Sequence, residues 1–74
     1  MRIAQTARKH EVRDSDILHA LRNPLAKWWL DADLAMRDGP ARVGKLLEIG
    51  VVGINSDDPV IVHAMPCRSQ FLPR

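Results

Sequence analysis

The chain is predicted to be an α+β domain, with two N-terminal helices packed on one face of a four-stranded antiparallel meander sheet. Three observations carry that expectation. Apolar residues recur at helical spacing as far as Asn23-Pro24, and alternating runs of strand-forming residues follow from Ala26 to Met65. The connections between those runs are short, which favours antiparallel pairing of sequential strands because a parallel crossover needs about a dozen residues.

Residues 2–10 are good helix formers with Ile3 and Ala7 on one stripe, and they predict a first helix, although a piece this short is not stable alone. After Glu11-Val12-Arg13, either Asp14 or Ser15 is expected to cap a second helix, with Asp14 and Asp16 complementing its positive end. Ile17, Leu18, Ala20 and Leu21 supply its buried stripe, and Asn23-Pro24 ends it. The strands are expected at Ala26–Asp31, Leu34–Asp38, Lys45–Ile54 and Val60–Met65, with Pro59 opening the last one. Asp31-Ala32-Asp33, residues 39–44 and Asn55-Ser56-Asp57-Asp58 have the composition of turns. A single domain over residues 1–66 is followed by a tail over 67–74, with prolines at 66 and 73.

A chain of 74 residues makes one domain with a thin core. Such domains lean on disulfides, metals or partners, and the one cysteine, Cys67, excludes an internal disulfide. His10, His19, His63 and Cys67 are too scattered to spell a zinc site, so neither metal nor cofactor is expected and a partner subunit, a homodimer included, is the favoured source of stability. With 11 Lys+Arg against 9 Asp+Glu the net charge of +2 does not by itself announce a nucleic-acid binder. The acids cluster at 14–16, 31–38 and 57–58, where turns and caps are expected. No apolar run reaches the roughly 18 residues of a membrane span, and a lone cysteine agrees with a cytoplasmic protein.

Strict alternation assigns faces. Trp28, Leu30, Leu34, Met36, Leu47, Ile49, Val51, Val60 and Val62 are expected to face the helices. Lys27, Trp29, Arg37, Leu46, Glu48, Val52, Ile61 and His63 would then share the open face. A face mixing large apolar groups with charge marks an interaction site, and Trp29, Leu46, Val52 and Ile61 are its candidate partner-binding residues. The outer tryptophan suits either stacking on a base or anchoring a protein partner, and the anchor is favoured.

Lys9-His10-x-Val12 followed by Asp16-Ile17-Leu18-His19-Ala20-Leu21-Arg22-Asn23-Pro24-Leu25 resembles the opening of BrnT-type toxins. Gly44-Lys45-Leu46-Leu47-Glu48-Ile49 and Val60-Ile61-Val62-His63-Ala64 are similar to two strands of that family, in the same order and spacing. Glu11 stands where the family carries glycine, which predicts that the chain turns differently there. The resemblance implies a RelE-like fold and the toxin role in a toxin–antitoxin pair. It implies metal-independent RNA cleavage or RNA binding that inhibits translation, with neutralisation by a protein antitoxin.

Cleavage through the 2′-OH needs a group to take the hydroxyl proton, a group to protonate the leaving oxygen, and cations on the phosphate. His63 is the only histidine in a strand candidate and histidine suits acid or base work; Glu48 is base or orienting partner, and Arg68 completes the catalytic set. Lys27, Arg37 and Lys45 are candidates for phosphate, arginine being suited to bidentate contact, and Lys9 and His10 line the rim through the matched motif. The rival reading is a non-enzymatic interaction protein of the same fold, whose exposed sheet face serves assembly. A DNA-binding antitoxin fits less well, since no helix carries a dense basic surface.

Overall fold

The computed structural model describes residues 1–67, and it corrects the expected fold class. Among the described residues there is one α-helix, and the sheet has five strands with one parallel pair. In chain order come β1 (Arg2–Ile3), a 3-10 turn (Gln5–Arg8), α1 (Asp14–Arg22), β2 (Ala26–Asp31), β3 (Leu34–Pro40), β4 (Leu46–Val52) and β5 (Val60–Pro66). The strands lie side by side as β1-β5-β4-β3-β2. β1 runs parallel to β5, and the remaining neighbours are antiparallel.

The expected first helix is lost to strand pairing. Arg2 N–H donates to the Pro59 carbonyl at 3.0 Å and Ala4 N–H to that of Ile61 at 2.8 Å. A segment of good helix formers this short has no strong preference of its own, so an unpaired sheet edge decides its conformation. What remains of the helix is the Gln5–Arg8 turn, which buries Ala7 completely against the core.

α1 starts and ends near the expected places, with a different cap. Arg13 occupies the N-cap position without a capping side chain, so neither Asp14 nor Ser15 does that work. Asp14 and Asp16 fall in the first turn, where negative charge meets the helix dipole favourably. The Arg8 guanidinium donates to Asp14 at 2.7 Å and holds that carboxyl below its ordinary range, tying the 3-10 turn to α1. Ile17 and Ala20 are fully buried, whereas Leu18 is 38% exposed and lies outside the stripe assigned to it.

α1 lies across β3 and β4, and the 3-10 turn lies against β5. Gly39 makes the close approach possible: a Cβ there would sit 2.2 Å from the Ala20 carbonyl oxygen. The core gathers Ala7, Ile17 and Ala20 against Leu47, Ile49 and Val51 of β4 and Ile61 and Ala64 of β5. The helix-facing side of β4 is therefore the expected one.

On β2, β3 and β5 the expected faces are partly reversed. Arg37 pairs with Ile49 and Ala35 with Val51, so Arg37 and its β2 partner Lys27 lie on the helix side, as does Trp29 opposite Ala35. Met36, Leu34 and Trp28 lie on the open side. Two bulges explain the rest. Leu30 has no partner between Trp29↔Ala35 and Asp31↔Leu34, and Val62 has none between Gly50↔His63 and Val51↔Ile61. One extra residue flips the side chains on either side of it to opposite faces. Ile61 thereby enters the core at 0% exposure while His63 stays on the open side, and Val60 pairs with Val52 there rather than facing α1.

Candidate functional site

β4 and β5 are neighbours, and their register places Glu48 opposite Met65 and His63 opposite Gly50 on the side of the sheet that α1 does not cover. From those diagonal positions the two side chains meet. Glu48 Oε2 lies 2.8 Å from His63 Nε2. The Glu48 side chain is 9% exposed and that of His63 34%, so the carboxylate is embedded and the imidazole borders solvent. Gly50 keeps the space open, because a Cβ there would press on the His63 Cβ at 3.0 Å and on Leu34 and Met36 at 3.3 Å.

A second carboxyl sits beside this pair. Asp38 is paired with Glu48 across β3 and β4 and is 2% exposed. Burial, then the neighbouring Glu48 charge, push its pKa above the ordinary value, while a hydrogen bond from Cys67 pulls the other way. Asp38 belongs to an acidic cluster that the sequence assigns to turns and caps, and its burial corrects that assignment. The signal was absent from composition: only the β3–β4 register brings it to Glu48. With Nε2–H donated to Glu48, the imidazole is held in one orientation and Nδ1 is the nitrogen left to exchange a proton.

The candidate cations separate into two groups. Lys27 and Arg37 lie on the helix side of the sheet, away from His63, and the Arg37 guanidinium donates to its neighbour's carbonyl, Met36 O, at 2.9 Å. They are therefore not part of a common face with Glu48 and His63, which corrects the expectation. Lys45 and His10 do come together, from segments far apart in sequence, in a cleft of about 260 Å³ at the start of β4, but Leu47 and Asp16 in its lining put it too on the helix side, away from His63. Arg13, Glu11, Asp16, Val12 and Leu47 line it with them, Arg13 being a cation that the sequence analysis passed over. Lys9 is exposed at the end of the 3-10 turn and does not line the cleft. Arg68 lies outside the described residues.

The partner-binding candidates separate too. Trp29 is 55% exposed on β2, the sheet edge, and Leu46 and Val52 are half-buried at the two ends of β4 on the open side. Ile61 is core and presents nothing to a partner. Of the tail beginning at 67, Cys67 is tied to the sheet through its N–H to the Leu46 carbonyl at 3.0 Å, and residues 68–74 lie outside the described residues. Among the described residues no group of three His, Cys, Asp or Glu side chains is arranged to hold a metal ion. No helix among them is long and apolar enough to cross a membrane. Comparison with family models, curated proteins and solved structures finds no match.

Proposed function

We propose that this chain is the toxin-like component of a toxin–antitoxin pair, a small RelE-like module that binds and cleaves RNA without a metal ion. The observation that carries the reading is the 2.8 Å contact between Glu48 and His63 on the sheet side left open by α1. An embedded carboxylate orienting a partly exposed imidazole is the arrangement that proton transfer at a hydroxyl requires. His63 takes the 2′-OH proton on Nδ1, and the 2′-oxygen attacks phosphorus as the bond to the 5′-oxygen breaks. The 5′-oxygen departs with a proton from solvent water, leaving a cyclic phosphate and an imidazolium that returns its proton to the solvent. Glu48 stabilises the imidazolium formed in the first step.

Two further observations support the resemblance behind this reading. Glu11 has φ 56°, in the left-handed region that favours glycine, the residue BrnT-type toxins carry at that position, which corrects the expectation that the chain turns differently there. Lys45 and His10, drawn from two separate motifs, share one cleft. Its lining by Leu47 and by Asp16 of α1 puts that cleft on the helix side of the sheet, the reverse of the side that carries Glu48 and His63.

The test is incubation of the purified chain with RNA in EDTA. The expected products end in cyclic phosphate, and His63→Ala slows their formation by about 10²–10⁴-fold, the usual contribution of a positioned acid or base. Lys27→Ala and Arg37→Ala, on the reverse side, leave cleavage unchanged. A folded wild-type chain that leaves RNA intact, or a His63→Ala variant as active as wild type, overturns the reading.

A second reading has its own support. Leu25 beside β2 and Trp29 and Leu30 on it are 67%, 55% and 65% exposed, large apolar groups at the sheet edge suited to a protein partner. In the first reading that partner is the antitoxin. In the second, assembly is the chain's whole role.

A further inference from the structure

The sheet encloses a carboxyl group that the Glu48–His63 pair does not use. Both Asp38 oxygens are shielded from solvent, and neither has a hydrogen-bond partner of ordinary geometry among the described residues. Asp38 stands directly across from Glu48 on the same side of the sheet. Side chains so paired have Cβ atoms about 5 Å apart, so two charges there would repel strongly. Among the described residues the ionisable strand groups on this side are Glu48 from β4, His63 from β5 with the Cys67 thiol beyond it, Asp31 at the far end of β2, and Arg2 of β1, which pairs with Asp58 at 3.0 Å. Directly opposite Asp38, β2 contributes Ala26. Lys27 and Arg37 project from the reverse side, where α1 also lies, so no described Lys or Arg compensates Asp38.

A carboxylate in such a place pays the cost of desolvation with no described cation beside it and only the Cys67 thiol, a weak donor, pulling the other way, and a group so placed neutralises instead. We propose that Asp38 is held as a neutral carboxylic acid in the folded domain and acts as a positioning residue, leaving Glu48 the single anion aimed at His63. The positioning role rests on the reading of His63 and Glu48 given above; the protonation state of Asp38 does not. An ionised Asp38 would compete with Glu48 for the imidazole proton and weaken the orientation of the ring. As a neutral acid it fills the space beside Glu48 without adding charge.

The linkage has a definite sign. The ordinary carboxyl of the unfolded chain ionises near 3.8 and the folded Asp38 above it. The folded state therefore binds more protons between those two values, and stability falls as pH rises from the first through the second. Asp38→Asn, neutral at every pH, escapes that loss. Its urea midpoint is expected to lie above that of wild type at about pH 7, with the gap closing as pH falls toward about 4. A merely structural role would shift the midpoint equally at every pH.

Two NMR titrations of the intact chain complete the test. The wild-type Asp38 side-chain carbon should report the protonated form well above the ordinary carboxylate range. The His63 ring should titrate at the same midpoint in wild type and Asp38→Asn, because one neutral group has replaced another. An Asp38 carbon already ionised near pH 4, or a His63 midpoint that drops in the variant as it would on losing a nearby anion, overturns the proposal. Because none of these readouts uses RNA, failure of the cleavage assay leaves them interpretable, and their failure leaves the cleavage assay standing.

Discussion

At Glu11, one backbone angle carries information that the residue type conceals. A φ of 56° costs an L-residue roughly 1–2 kcal/mol and costs glycine nothing sterically, though glycine gives back part of that through chain entropy. Glu11→Gly is therefore expected to stabilise the domain by about 0.5–1 kcal/mol in urea denaturation. Loss of stability would mean that the Glu11 side chain contributes more at the cleft than its backbone loses. Glu48 was legible as an outward strand residue because Leu47, Ile49 and Val51 form an unbroken apolar alternation around it. Asp38 was not legible, because an acid near a Gly-Pro pair looks like a turn residue until its strand is placed beside β4.

Among the elements, α1 depends on a contact made by a residue without a side chain. Gly39 lets the Ala20 carbonyl approach β3, and any Cβ at that position must displace the helix. Gly39→Ala is expected to destabilise the fold by about 3 kcal/mol, the upper end for overpacking, read as a drop in thermal and urea midpoints. A variant within a few tenths of wild type would show that α1 shifts without loss. The helix end at Asn23 was readable from Asn23-Pro24, whereas the lead segment was misjudged as helix: propensity favours helix there, and the free edge of β5 claims those residues instead. The assigned faces went astray at Leu30 and Val62 for a related reason. A bulge leaves hydrophobicity almost unaltered while reversing which side chains point inward, so periodicity cannot register it.

At the scale of the whole fold, the described residues form a single sheet with one short helix and one short turn on one side, too little to cover five strands on both. Its balance of exposed groups follows from that shortage. The β2 edge keeps Lys27 and a bulge at Leu30, two features that discourage open-ended strand addition, yet Trp29 beside them is exposed. On the proposed reading, a specific protein partner covers this edge. On the toxin–antitoxin reading proposed above, Trp29→Ala is expected to weaken the affinity for the proposed antitoxin by more than tenfold in calorimetry while leaving the proposed RNA cleavage intact, as befits an aromatic anchor at an interface. Unchanged affinity would move the partner's footprint away from β2.

From its residue order alone, this protein declares one small α+β domain, the helix ending at Asn23, the inner side of β4, and Glu48 and His63 as side chains worth testing. Those features depend on local periodicity and on residues whose preferences agree with their neighbours. The strand β1, the separation of Lys27 and Arg37 from His63, the withdrawal of Ile61 into the core and the enclosure of Asp38 were decided by tertiary structure. Each depends on register between strands, and register is set by single extra residues and by a competing sheet edge whose energies appear only when the strands meet.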